Sequence, residues 1–174
     1  MKKCIPVLLM LTILICGCSK QAQESTSEPV SDTFFAMDTT MDFRIYGDKS
    51  LLQDAQNVIT DLEKKVSVTD SDSEIYKINE NGSGILSGEA DTLMMCRRTN
   101  GALDISIYPI VKAWGFTTGS YQVPDEETIQ TLLTKVDYTQ IQYDETSGNV
   151  TIPEGMTIDL GSIAKGYAGE LAAR

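Results

Sequence analysis

Apolar and polar positions alternate from Thr33 to Tyr46. Phe35, Met37, Met41, Phe43 and Ile45 share one face, and Asp38, Thr40, Asp42 and Arg44 the other. A period of two predicts a half-buried strand. The period then changes. Leu51, Ala55, Val58, Ile59, Leu62 and Val66 recur at helical spacing, with Ser50 at the start and Gln53 placed for a capping box. Ser67 to Asp72 is a polar loop, followed by a short helical turn that carries Ile75 and Ile78 inward. Asn81-Gly82-Ser83-Gly84 reads as a turn. A helix is expected from about Glu89 to Thr99, ended by Asn100-Gly101. Leu103 to Trp114 is an apolar stretch broken by Pro109, and Val123-Pro124-Asp125 starts a helix that runs to about Thr134. Two short strands are expected near Tyr138–Tyr143 and Asn149–Ile152, joined by a Ser147-Gly148 turn. Met156 to Leu160 reads as a buried strand, and Gly161-Ser162 leads into a last helix from Ile163 to Arg174. Helices and strands mix without a strict βαβ rhythm, so the expected class is α+β, a mixed sheet with packed helices.

The first residues break this pattern. Lys2 and Lys3 precede an almost wholly apolar run from Cys4 to Gly17. That run is shorter than the roughly 20 residues of a membrane span and has the build of a signal peptide. It stops at Ile15-Cys16-Gly17-Cys18, which resembles the bacterial lipobox, so residues 1–17 are expected to be cleaved and Cys18 to carry lipid. The competing reading is an uncleaved membrane anchor. Residues 18–32, rich in Lys, Gln, Glu, Ser, Thr and Pro, read as a disordered tether. The folded domain then occupies residues 33–174. Of the four cysteines, only Cys96 remains as a free thiol in such a mature chain, so no internal disulfide is possible. Its apolar surroundings suggest a small core residue.

The charge narrows the partners. With 14 Lys and Arg against 25 Asp and Glu, the net charge of the 174-residue chain is −11. Such a surface repels phosphate backbones, which argues against nucleic acid as a partner. There is no histidine. Chemistry must therefore come from carboxylates, lysine, hydroxyls, backbone groups or a hard metal ion.

Three segments could carry it. In Thr157-Ile158-Asp159-Leu160-Gly161-Ser162-Ile163-Ala164-Lys165-Gly166-Tyr167-Ala168, a carboxylate and a small-residue turn feed a helix. The free N–H groups of a helix start attract phosphate. Lys165 adds charge in the first turn, and Asp159 is placed to accept hydrogen bonds from a base or ribose. The same pattern equally describes an Asp acting as N-cap at a strand–helix junction. Around Gly101-Ala102-Leu103-Asp104 and Ala113-Trp114-Gly115-Phe116, the single tryptophan could stack on a flat ring or fill the core. Met37-Asp38-Thr39-Thr40 offers a thioether that suits either a ligand edge or the core.

Taken with Asp72-Ser73-Glu74-Ile75, these motifs resemble, in order and behind a lipoprotein signal, the ApbE family of FAD:protein FMN transferases. The resemblance covers Thr33 to Arg174. It implies an ApbE-like flavin transferase fold, here C-terminally incomplete, that binds FAD with Mg²⁺ at its pyrophosphate. By motif, Met37, Ala102, Leu103, Asp104, Asp159 and Lys165 would contact FAD. Thr69 falls where many relatives have a pocket-lining tyrosine, and keeps only a hydroxyl. Ser162 would give its backbone carbonyl to the metal, and Trp114 and Phe116 would shape the pocket wall. The implied reaction transfers FMN to a Thr or Ser of an acceptor flavoprotein subunit and releases AMP. The lipid anchor would hold the domain on the cell membrane, outside the cytoplasm. Relatives are about twice as long, and their second half would supply the catalytic base and the remaining metal ligands. The chain alone is accordingly expected to be inactive or nearly so. The rival readings are an FAD pyrophosphatase or flavin-binding lipoprotein using the same pocket, and a non-enzymatic solute-binding lipoprotein.

Overall fold

The computed structural model describes residues 28–87 and 95–174. The expected signal peptide, Cys18 and most of the tether lie outside the described residues, as does the first part of the helix expected from Glu89. Among the described residues no helix is long and apolar enough to cross a membrane.

The segment expected as one strand is a hairpin. Strands β1 (Val30–Ala36) and β2 (Thr39–Ile45) pair antiparallel, with Phe34 opposite Met41 and Asp32 opposite Phe43. Pairing begins at Val30, three residues ahead of the expected boundary. Met37 and Asp38 form the turn with φ of 51° and 56°, the left-handed pair that a two-residue hairpin loop requires. The turn exchanges parity between the strands. Even-numbered residues of β1 now share a face with odd-numbered residues of β2. Phe34, Met41 and Phe43 therefore pack on the core, with the Phe34 and Phe43 rings stacked at 5.2 Å. Phe35, expected inside, is 71 % exposed.

Helix α1 (Ser50–Val66) buries Leu52, Ala55, Ile59, Leu62 and Val66. Leu52 rather than Leu51 turns inward, and Val58 stays partly exposed. The expected capping box does not form. The Asp48 carboxylate accepts from the Ser50 N–H at 2.8 Å, and Gln53 donates to Asn57 instead. Helix α2 (Glu74–Asn81) is well bounded. Ser73 Oγ accepts from the Tyr76 N–H at 2.9 Å, and Gly82 closes the helix at φ 74°. Ile75 and Ile78 are fully buried.

Strand β3 (Ser83–Ile85) joins β4 (Gln142–Asp144) and β5 (Asn149–Thr151) in a small antiparallel sheet with β5 central. Val150 sits opposite both Gly84 and Tyr143. Residues 95–98 are helical and seal Cys96 in the core. A 3₁₀ turn (Ile105–Ile107) leads into α3 (Tyr108–Ala113). Pro109 sits in the first turn of α3, where its missing N–H costs nothing, so it opens a helix rather than breaking one. Helix α4 (Glu126–Leu133) is capped by Asp125, which accepts from the Thr128 N–H at 2.7 Å. Helix α5 (Gly161–Ala172) ends the order and packs against α1.

Met156–Leu160 is not a strand, although Met156, Ile158 and Leu160 are buried as expected. Its backbone finds a side chain in place of a neighbouring strand. Asn79 Oδ1 accepts from the Ile158 N–H at 2.7 Å, and Asn79 Nδ2 donates to the Ile158 carbonyl at 2.9 Å. The overall result is α+β, with mixed helices and small sheets around one core that joins Ile59, Leu62, Ile75, Ile78, Ile105 and Ile158.

Candidate functional site

A cleft of about 540 Å³ opens between the hairpin turn, the end of α1, the loop after α3 and the start of α5. Its wall brings together Met37, Asp38, Glu63, Thr69, Phe116, Asp159, Gly161 and Lys165, residues drawn from most of the chain's length.

The hairpin turn enters the cleft in a conformation that side chains rarely adopt. A left-handed φ costs a residue with a Cβ roughly 1–2 kcal/mol. What holds it is Glu63, whose Oε1 accepts from the Met37 N–H at 2.8 Å. Met37 is itself largely buried, and the bond to Glu63 satisfies this part-buried N–H. At the end of α1 the chain turns outward through Ser67, whose hydroxyl accepts from the N–H groups of Thr69 and Asp70. Thr69 thereby reaches the cleft with its hydroxyl 3.3 Å from that of Ser67.

Asp159 is fixed at three points. The preceding residue is clamped by Asn79, its own N–H donates to the Ile105 carbonyl at 2.8 Å, and its Oδ1 accepts from the Gly161 N–H at 2.7 Å. Asp159 is not the N-cap of α5, because Leu160 holds that position without a side-chain cap bond, but its bond to the Gly161 N–H leaves it facing the cleft. One oxygen secures the start of α5, and the carboxylate still lines the cleft. A Cβ at Gly161 would stand 3.1 Å from Asp159 Oδ1, so glycine keeps this approach open. Lys165 is the fifth residue of α5, which starts two residues earlier than expected, and is exposed at the cleft.

The opposite wall is aromatic. Trp114 and Phe116 stack at 6.3 Å, and Tyr121 meets Phe116 edge-on at 6.0 Å. Phe116 and Tyr121 line the cleft, whereas Trp114 supports Phe116 from behind. Gly115 makes the turn possible at φ 81°, because a Cβ there would lie 2.0 Å from the Ser120 carbonyl oxygen.

Ala102, Leu103 and Asp104 do not line this cleft. The Asp104 carboxylate is engaged within the protein. Oδ1 accepts from the Ser106 N–H and hydroxyl, and Oδ2 from the Tyr138 N–H at 3.1 Å. Leu103 packs against the core, and Ala102 is exposed. Ser162 is exposed at the second position of α5. Glu63 and Asn79 were not singled out from sequence. Each is a polar residue on an amphipathic helix, and only the bond to a distant backbone distinguishes it.

Asp38, Glu63 and Asp159 put three carboxylates on a wall with one lysine. A phosphate group entering there needs more positive charge than Lys165 supplies, which suits a hard divalent cation with oxygen ligands. Among the described residues, however, no three acidic, cysteine or histidine side chains gather closely enough to hold a metal. Asp159 lines the cleft, whereas Ser162, at the second position of α5, is not among the lining residues.

Comparison with known proteins agrees with the geometry. The model of the ApbE family matches residues 37–174. A protein of Vibrio cholerae named FAD:protein FMN transferase is 26 % identical over 180 residues, covering 96 % of this chain and 53 % of the relative. A protein of the same name from Haemophilus influenzae is 23 % identical over 198 residues, covering 99 % and 55 %. The crystal structure of the ApbE protein of Thermotoga maritima superposes with a TM-score of 0.77 at 26 % identity, over 83 % of this chain and 51 % of that one. The flavinyl transferase ApbE of Pseudomonas stutzeri gives 0.70 at 21 % identity, which shows the shared fold. The chain spans about half the length of the relatives it matches.

Proposed function

Because the chain belongs to the ApbE family, matched from residue 37 to 174, we propose that its cleft is the flavin-nucleotide site of an FAD:protein FMN transferase. The observation that supports this most is the convergence of Met37, Thr69, Asp159 and Lys165 on one cleft. Hairpin turn, loop and helix start deliver them from distant parts of the sequence.

In this reading the α5 start and Lys165 bind and orient the pyrophosphate of FAD. Asp159 accepts a hydrogen bond from the nucleotide, held at the required angle by Gly161 and Ile105. Met37 lies along the ligand edge, and Phe116 and Tyr121 shield it from water. The hydroxyl of a threonine or serine on an acceptor protein attacks the FMN phosphorus and releases its proton to solvent. The bond to the bridging oxygen breaks, AMP leaves, and a phosphoester joins flavin to acceptor. Bound Mg²⁺ would neutralise charge on the phosphate oxygens. Asp159 and the Ser162 carbonyl are its candidate ligands in this chain. Lipid on Cys18 would tether the enzyme to the outer face of the cell membrane, where flavin-carrying redox subunits are the acceptor class.

The test is AMP formation from FAD and Mg²⁺, followed by chromatography with and without an acceptor protein. It is run on the chain and on the protein extended through its native downstream reading frame. AMP that appears only with acceptor supports transfer. AMP formed equally without acceptor assigns the site to FAD hydrolysis, and no AMP in either form overturns the catalytic reading.

A further inference from the structure

The segment that carries Asp159 is held by an unusual device. Ile158 is fully buried, so its N–H and carbonyl need partners inside the protein. A neighbouring strand would ordinarily supply both. Here one side chain does so, from 79 residues away. Asn79 Oδ1 accepts from the Ile158 N–H at 2.7 Å and Nδ2 donates to the Ile158 carbonyl at 2.9 Å. Only an amide of this length combines acceptor and donor in that spacing. Aspartate lacks the donor, and glutamine is one methylene too long.

The clamp is mounted on a rigid base. Asn79 belongs to α2, which is capped at both ends and anchored by fully buried Ile75 and Ile78. From Ile158 the constraint passes directly to Asp159. The Asp159 N–H is bonded to Ile105, and its Oδ1 is bonded to the first N–H of α5. With the main chain fixed on both sides, the carboxylate has little freedom to leave the cleft.

We propose that Asn79 is a positioning residue for ligand binding. It sets the place of the Asp159 carboxylate and of the α5 start, and so acts on the ligand without lining the cleft. This inference rests on the reading of the cleft as an FAD site.

A double-mutant cycle tests it. FAD affinity and melting temperature are measured for the protein of the whole native reading frame, for Asn79→Ala, for Asp159→Asn and for the double variant. Asp159→Asn keeps an acceptor for the Gly161 N–H and so preserves the turn. Ile141→Val, at a buried core position outside α2 and outside the cleft, serves as a variant that loses stability without touching the clamp. Asn79→Ala is expected to weaken FAD binding about tenfold in the wild-type background, and at most about twofold when Asp159 is already replaced, as for residues coupled in one network. Its loss of melting temperature should be the same in both backgrounds, and Ile141→Val should bind FAD normally. Equal affinity losses in both backgrounds would overturn the proposal, as would wild-type affinity in Asn79→Ala. Wild-type affinity in Asp159→Asn would remove the group through which Asn79 is said to act. Failure of the unmutated protein to bind FAD would instead sink the functional reading, and this inference with it.

Discussion

Replacing Gly115 by alanine separates two effects that are usually confounded. Gly115 has φ +81°, and a Cβ there would meet the Ser120 carbonyl oxygen at 2.0 Å, its carbon at 2.5 Å and the Tyr121 nitrogen at 3.0 Å. These are backbone atoms, so no side-chain rotation relieves the overlap. The loop must open, giving up the Gly119 N–H bond to the Gly115 carbonyl and the Gln122 N–H bond to the Trp114 carbonyl. Two partly solvated hydrogen bonds lost from an exposed loop, each worth about 1 kcal/mol, add to a left-handed φ penalty of about 1 kcal/mol, for an expected cost of about 3 kcal/mol. For a domain of this size that corresponds to a fall in melting temperature of about 6–12 °C. Gly119 is the natural control. Its φ is +72°, but nothing lies within 4 Å of its would-be Cβ. Gly119→Ala should therefore cost only the conformational penalty, about 1 kcal/mol. Trp114 is the single tryptophan, and it stacks on Phe116 just beyond Gly115. Its emission should shift to the red in Gly115→Ala and stay unchanged in Gly119→Ala. Melting curves and tryptophan spectra of both variants decide the matter. Equal melting temperatures and unshifted emission in Gly115→Ala would refute the close-approach argument.

Glu63→Ala removes the acceptor of a buried N–H at a strained turn, so a loss of about 1.5–3 kcal/mol is expected in urea titrations. Glu63→Gln keeps an acceptor and should recover most of it, and an equal loss in both variants would contradict the assigned bond. On the acid side, the Asp48 and Asp125 carboxylates are held below their ordinary value of 3.8 by the N–H groups of Ser50 and Thr128. The Thr139 hydroxyl does the same for Asp137, and the Ser147 hydroxyl for Asp144. The unfolded chain therefore binds more protons at low pH. The stability these bonds contribute is fully present above 3.8 and is lost as pH falls through the lower folded values. Asp125→Asn should flatten the acid limb of a urea-midpoint profile, and an unaltered limb would count against the cap. Burial pushes the Cys96 thiol up from its ordinary range. In a chain lacking residues 1–18, thiol labelling at pH 8 should be slow and should accelerate only with unfolding. Rapid labelling of the native protein would be inconsistent with a sealed core position.

The elements legible in the sequence were those whose burial follows one local period. Helices α1 and α2 emerged from helical spacing, and the start of α4 from Val123-Pro124-Asp125. The β1–β2 hairpin was hidden because Met37-Asp38 lacks the Asn-Gly signature of such turns. Alternation on both sides then read as one continuous strand, and Phe35 was placed on the wrong face. Met156–Leu160 has the alternating burial of a strand, but its partner is the Asn79 amide, a pairing that no local pattern encodes. Ser50 and Gln53 fit a capping box by spacing, yet Asp48 and Asn57 compete for the same groups. The cleft was legible in part. Met37, Thr69, Asp159 and Lys165 do line one space, whereas Asp104 spends its oxygens on Ser106 and Tyr138. Glu63 and Asn79 look like ordinary solvated helix positions until the fold sets a distant N–H against each.

The account turns on whether this cleft delivers FMN to a protein hydroxyl. The direct measurement incubates the protein, extended through its native downstream reading frame, with FAD, Mg²⁺ and an acceptor bearing the target threonine, then reads in-gel flavin fluorescence on the acceptor. A covalent fluorescent band is predicted, absent when the acceptor threonine is alanine and strongly reduced in Asp159→Asn and Lys165→Met. No band, or a band that persists without the acceptor hydroxyl, would contradict it.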